Sequence, residues 1–213
     1  MYYNLTAIIL KRQDFKDDDL LITVYSKEKG KVVLQAKGAK KIRSKLAGHL
    51  EPLSLSILNI TRGKNIEQLI GAQLVKPYKK IKADVNLLAY ANYFIELIDG
   101  LTQQNQADER VFNLLNKSFE RLENEFKQLA LARISFGFKL LLLLGFDPSA
   151  KRQQEFKKEI SFIIKNSINV IQRNQSVVKN LAELNKSLNA ELEIHLEREI
   201  KSKYFLEELN SSH

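Results

Sequence analysis

The hydrophobic pattern of this chain changes period once, and the change falls at Pro77. Up to about residue 75 the apolar residues come in short, β-branched runs close to period two. They are YNLTAIIL (3–10), LLITVY (20–25), KVVLQA (31–36), LSLSILNIT (53–61) and NIEQLIGAQL (65–74). Each has strand length, and alternation of that kind turns one face toward a core. Turn signals separate them: SKEKG at 26–30 suits a hairpin with Gly30 at positive φ, and RGK at 62–64 suits another. Five short strands in so little chain favour closure, because a closed sheet exposes no edges.

After Pro77 the spacing becomes helical. In VNLLAYANYFIELIDGL (85–101), Leu88, Tyr90, Ala91, Phe94, Ile95 and Ile98 share a face, and Gly100 offers an end. DERVFNLLNKSFERLENEF (108–126) repeats the pattern with Asp108 as its N-cap. A core helix spans about 129–144 and stops at Gly145, with Pro148 soon after. Helices are expected over 176–188, starting on Ser176, and over 190–209, while ISFIIKNSINVI (160–171) reads as an inserted β-hairpin. The fold class is therefore α+β: an N-terminal five-stranded OB-type β-barrel, 1–80, followed by a mostly α-helical domain, 81–213. The OB barrel is the usual form at this size, although periodicity alone leaves other small barrels open.

Composition narrows the chemistry. There is no cysteine, which excludes disulfides and thiolate metal sites and fits a reducing compartment. MYYNLTAIILKRQDF has no basic region ahead of its apolar stretch, unlike a signal peptide. The most apolar segment, 129–146, carries Arg133 and Lys139, whereas a spanning helix needs ~20 mostly uncharged residues. The expectation is a soluble cytoplasmic protein with no membrane partner.

Charge is distributed unevenly. Of 34 Lys/Arg and 25 Asp/Glu, residues 1–80 hold sixteen and seven, and the remainder holds eighteen of each. The whole net charge of +9 thus sits in the first domain. Such asymmetry points to a polyanion partner for that domain, against the plainer reading of a basic face kept for solubility.

Catalytic signatures are missing. The three histidines, His49, His195 and His213, have no metal-ligand spacing, and no phosphate-binding glycine motif or nucleophile elbow occurs. Asp17–Asp18–Asp19 could mark a metal-dependent nuclease corner, but a solvated turn accounts for them more simply. The chain reads as a binding protein with no cofactor.

The densest positive charge lies in AKGAKKIRSKLAGHLEP (36–52), with five basic residues and no acid before Glu51. Lys37, Lys40, Lys41, Arg43 and Lys45 suit phosphate contacts, which give affinity without sequence choice. Lys11, Arg12, Arg62 and Lys64 are candidates for the same surface. The stacking residues that OB barrels add are few: Tyr2, Tyr3, Phe15, Tyr25 and Tyr78, with His49 beside the loop. Backbone contacts should therefore dominate over base reading.

The order ILKRQDFKDDDLLITVYSKEKGKVVLQAKGAKKIRSKLAGHLEPL resembles the N-terminal half of the RecO family of bacterial recombination mediators. The matching features are Lys11–Arg12, Asp19–Leu20, Gly30–Lys31, Lys37–Gly38–Ala39–Lys40, Ser44–Lys45 and Glu51–Pro52–Leu53. ARISFGFKLLLLLGFDP and HLEREIKSKYFLEEL, with Lys201–Ser202, are similar to the family's central and last helices. The resemblance implies a protein that binds single- and double-stranded DNA, anneals complementary strands and helps load RecA onto strands coated by single-stranded DNA-binding protein. It implies RecR and the acidic tail of that coating protein as partners, and a nucleoid-associated location. Arg133, with Lys139 as the weaker choice, is the position it implies for the acidic tail.

The sequence departs from the family at one place. Many members hold zinc with four cysteines shortly after the central helix, but here that window reads RQQEF, with Gln153 and Phe156 at the first pair. A zinc-less insertion over about 150–172 is expected instead. The alternatives are an OB-type RNA- or ribosome-associated binding protein and a nucleic-acid hydrolase using Asp17–Asp19.

Overall fold

The computed structural model describes residues 2–41, 44, 46–124, 128–150 and 155–211. Arg43, Lys45, Gln153 and His213 lie outside the described residues. The chain divides into two compact units, Met1–Lys82 with Thr102–Asn116, and Ala83–Leu101 with Lys117–His213.

The first unit is a closed five-stranded barrel in the order β1-β2-β3-β5-β4, the OB arrangement. Its strands are β1 (Tyr2–Phe15), β2 (Asp19–Ser26), β3 (Gly30–Ala36), β4 (Leu55–Thr61) and β5 (Glu67–Lys76). All neighbours are antiparallel except β3 and β5, which pair in parallel through Leu34↔Glu67 and Gln35↔Gln68. Leu5, Ala7 and Ile9 of β1 face inward against Ile22, Val24, Leu34, Leu58 and Ile60. Burying each large side chain of this set contributes about 1.5–3 kcal/mol. A bulge at Leu10 breaks the alternation, since Ile9 pairs with Val24 and Lys11 already pairs with Thr23. Beyond it, Lys11, Arg12, Gln13 and Asp14 are all exposed.

Gly30 begins β3 at φ 69° and meets a close neighbour. A β-carbon there would stand 2.0 Å from the Gln106 carbonyl oxygen, because Thr102–Asn116 returns to the barrel. Asn105 N donates to Lys31 O at 2.9 Å, and Gln104 bridges Lys31 in parallel. Only glycine fits both the dihedral and the approach.

The helices are α1 (Lys79–Ala83), α2 (Val85–Leu101), α3 (Glu109–Glu123), α4 (Leu129–Leu143), α5 (Lys157–Lys165), α6 (Ile168–Ile171), α7 (Gln175–Lys179), α8 (Leu181–Leu196) and α9 (Lys201–Ser211). Among the described residues none is long and apolar enough to cross a membrane. In the second unit α4 is buried almost all round and packs on α2, α5 and α8. Phe94 of α2 stacks on Phe136 at 4.2 Å, and Gly137 leaves room for Leu188 of α8. The end of α4 matches its sequence signal. Gly145 sits at φ 91°, Phe146 N donates to Leu141 O, and Gly145 N donates to Leu142 O, a Schellman closure.

Four expectations are corrected. Residues 160–171 form α5 and α6, not a hairpin: Ile160 and Ile163, then Ile168 and Ile171, are buried three apart, a helical spacing. Asn174, not Ser176, caps the next helix, its side chain accepting from Val177 N at 3.1 Å. The last break falls at Glu197 (φ 53°), later than the sequence suggested. A remote carboxylate starts the helix after it, since Glu96 of α2 accepts from Lys201 N at 3.0 Å and Ser202 N at 2.8 Å. Gly100, offered as the end of its helix, lies inside α2.

Gly30→Ala should cost about 2–3 kcal/mol through backbone strain and the clash with Gln106. Gly48→Ala, with nothing within 4 Å of its β-carbon, should stay within ~0.5 kcal/mol of the parent. Urea denaturation of both variants checks this.

Candidate nucleic-acid interface

The segment leaving β3 is held from two sides. Ala39 is fully buried in the barrel core, so the lysines flanking it are turned outward. Gly38, at φ 62°, donates its N–H to Asp19 Oδ1 at 2.8 Å, and Lys40 N donates to Asp18 O at 3.0 Å. Asp19 Oδ2 also accepts from Gln35 Nε2 at 2.7 Å. The Gly38 and Gln35 donors hold the Asp19 carboxyl below its usual range. The turn between β1 and β2 is thus clamped to the exit of β3.

The clamp brings acids beside the basic loop, whose charge is therefore partly compensated, contrary to its appearance in sequence. Lys40 Nζ lies 3.5 Å from Asp14 and 3.4 Å from the Lys16 carbonyl, and Lys41 Nζ lies 3.7 Å from Asp18. Asp18 and Asp19 thereby have structural work, which weakens the nuclease reading of the acid run. Such exposed pairs contribute about 0–1 kcal/mol and yield readily to a stronger anion. Lys37, Lys40 and Lys41 are exposed, and Lys11 and Arg12 lie on the β1–β2 ribbon leading to the same end of the barrel.

Arg62 and Lys64 are elsewhere. They lie in the β4–β5 turn, which the register Tyr2↔Thr61 puts at the end where β1 begins. The seven residues of β4, at ~3.3 Å each, separate the two ends by about 20 Å. The structure therefore splits the candidate residues into two sets. At the Arg62 end stands a network that the sequence did not reveal. Lys29 Nζ donates to Tyr3 Oη at 2.9 Å and to Glu67 Oε1 at 2.8 Å, and lies 4.3 Å from the centre of the Tyr3 ring. The Glu67 hydrogen bond, then that of Tyr3, raises the Lys29 ammonium above its ordinary range. Beside it opens a groove of about 590 Å³ between β3, the β4–β5 turn and residues 104–105. No sequence signal marks this groove, because it joins segments far apart in the chain.

Of the candidate stacking residues, Tyr25 and Tyr78 are core. Burial pushes the Tyr25 hydroxyl up to about 12, and Tyr78 Oη donates to Asn116 at 2.8 Å. Tyr3 and Phe15 are half-buried, and Tyr2 is 78% exposed. His49 sits half-buried in a short 3-10 turn, Ala47–His49.

The two residues named for an acidic tail are not displayed together. Arg133 is 2% exposed, its guanidinium 4.5 Å from the Tyr93 ring centre and its Nη2 donating to Asn189 at 2.9 Å. Lys139, half-buried on another face of α4, donates to the Asn166 carbonyl at 2.6 Å. Burial, then the charge of Arg121, pushes its ammonium down to about 8.

Asp19→Ala should destabilise the chain by about 1 kcal/mol at neutral pH, the low end for bonds to a solvated charged group. A carboxyl with a lowered folded pKa gives stability above its unfolded value of about 3.9 and loses it as pH falls through the folded value. The deficit should therefore shrink below about pH 4, as urea titrations at pH 7 and pH 3 would show.

Comparison with known proteins places most of the chain in one family. The family model "Recombination protein O N terminal" matches residues 1–78, and "Recombination protein O C terminal" matches residues 82–161. The DNA repair protein RecO of Clostridium novyi is 31% identical over 144 residues, which is 68% of this chain and 56% of that protein. That of Desulforamulus reducens is 32% identical over 146 residues, again 68% and 56%. That of Caldicellulosiruptor saccharolyticus is 29% identical over 165 residues, 76% and 67%. The match to the first two thus spans just over half of their length. With both halves of one family's pattern matched in order on an OB barrel and the helices that follow, this chain belongs to the RecO family.

Proposed function

We propose that this chain is a DNA repair and recombination factor that binds DNA through its barrel, anneals complementary strands and helps load RecA. The observation that carries the reading is the clamped turn Gly38–Lys41, which presents lysines beside weakly held carboxylates. Annealing brings two polyanions together, so the protein must screen repulsion and leave base edges free. Lysines on phosphates do this, since phosphate contacts position a strand without reading it. The carboxylates of Asp14 and Asp18 hold the lysines until a phosphate replaces them. Base pairing supplies the driving force, and the proposal needs neither nucleotide hydrolysis nor a catalytic group.

In this reading the barrel unit, residues 1–82 with the returning segment 102–116, takes the DNA, and the helical unit takes protein partners. Those partners are RecR and the acidic tail of single-stranded DNA-binding protein. Lys139 is the more accessible of the two cations named for that tail. Arg133 would meet a carboxylate only after its contact with Asn189 of α8 is broken.

Lys37→Glu with Lys41→Glu should weaken single-strand binding and slow annealing of naked strands, with stability within ~0.5 kcal/mol of the parent. If two phosphate contacts are lost, the slope of log affinity against log salt should become shallower by about 1.4 for a single strand. Normal annealing by this variant, a requirement for ATP, or preference for structured RNA in competition would overturn the reading.

A further inference from the structure

The join between β3 and β5 is the narrowest in the barrel, made by two residue pairs. On the Gly30 side of those pairs the returning chain bridges Lys31 through Gln104, and the groove of about 590 Å³ remains between them. That volume lies within the ~300–1,000 Å³ common for small-ligand pockets. Its lining includes Val33, Asn65, Ile66, Gln104 and Asn105.

The chemistry of the lining is selective. Val33 and Ile66 offer apolar contact. The side-chain amides of Asn65, Gln104 and Asn105 are exposed and make no hydrogen bond among the described residues. Each amide can both donate and accept. Lys29, at the same groove, is already held by Glu67 and Tyr3, so it brings little unbalanced charge. A phosphate would find no free cation in the lining, whereas a flat heterocycle with donors and acceptors on its edge would find partners and an apolar wall. Arg62 and Lys64 are exposed in the β4–β5 turn, the same turn that supplies Asn65 and Ile66 to the lining.

We propose that this groove holds one unstacked base of a single strand, with Asn65 and Gln104 bonding its edge and Arg62 and Lys64 meeting the flanking phosphates. The proposal rests on the barrel being the DNA-binding unit, and it adds a base-dependent contact to the phosphate contacts of the loop. Paired bases in a duplex would have to be extruded to enter, at a cost of a few kcal/mol. The groove therefore distinguishes single strands from duplexes, which the lysine loop does not.

The test compares oligothymidylate, an abasic strand of the same length, and a duplex, each titrated into the full chain and into Asn65→Ala with Gln104→Ala. Both substituted side chains are exposed, so stability should be kept. The parent should prefer oligothymidylate to the abasic strand by about tenfold, the size of one good polar contact. The variant should lose that preference while binding duplex as before, with an unchanged salt slope. A parent without the preference, or a variant that keeps it, overturns the groove assignment and leaves the loop reading standing. A parent that binds none of the three overturns both.

Discussion

One carboxylate organises the basic end of the barrel. Asp19 joins the β1–β2 turn to the exit of β3 by accepting from Gly38 N and Gln35 Nε2. Its position follows from register, because Leu20 pairs with Ala36 and Asp19 must then lie beside the residues that follow β3. Without that bond the Gly38–Lys41 turn would be held to the barrel by the burial of Ala39, the Lys40 N–H bond to Asp18 O and the exposed lysine pairs. The acid run that could be mistaken for a metal corner is the fitting that holds the lysines in place.

The same fitting sets the electrostatics of the surface. A loop of unpaired lysines would hold a polyanion tightly and release it slowly. Here two of the lysines have carboxylates within 4 Å, so part of what a phosphate gains is offset by the pair it displaces. Grip and release are then closer in free energy, which is what the annealing proposed for this chain would need. The helical unit treats charge differently. Arg133 is buried over Tyr93, and its cation serves packing between α2, α4 and α8.

Much of the fold was legible in sequence because its cause is local. The period-two runs gave all five strands, and Gly145 with Pro148 marked the end of α4. What escaped depends on contacts between distant segments. Ile160 to Ile171 is rich in β-branched residues and reads as strand, yet α4 supplies a surface that rewards burial every third residue. The start of α9 is capped by Glu96, about a hundred residues earlier, which no local motif records. For the site, the lysines of the loop were visible by composition. Their acid neighbours, the separation of Arg62 and Lys64 from them, and the interior placement of Arg133 all required the register and the helix packing.

The return of Thr102–Asn116 to the barrel makes its architecture discontinuous in the chain. Gln104 and Asn105 cover the edge of β3 that β5 does not reach. A polypeptide ending near residue 80 would contain every strand and every loop lysine, yet would leave that edge bare. Bare edges are templates for pairing with another chain. Such a fragment would be prone to dimerise or aggregate through β3. During synthesis the barrel would likewise stay unsealed until the α2 segment had been made and the chain had turned back.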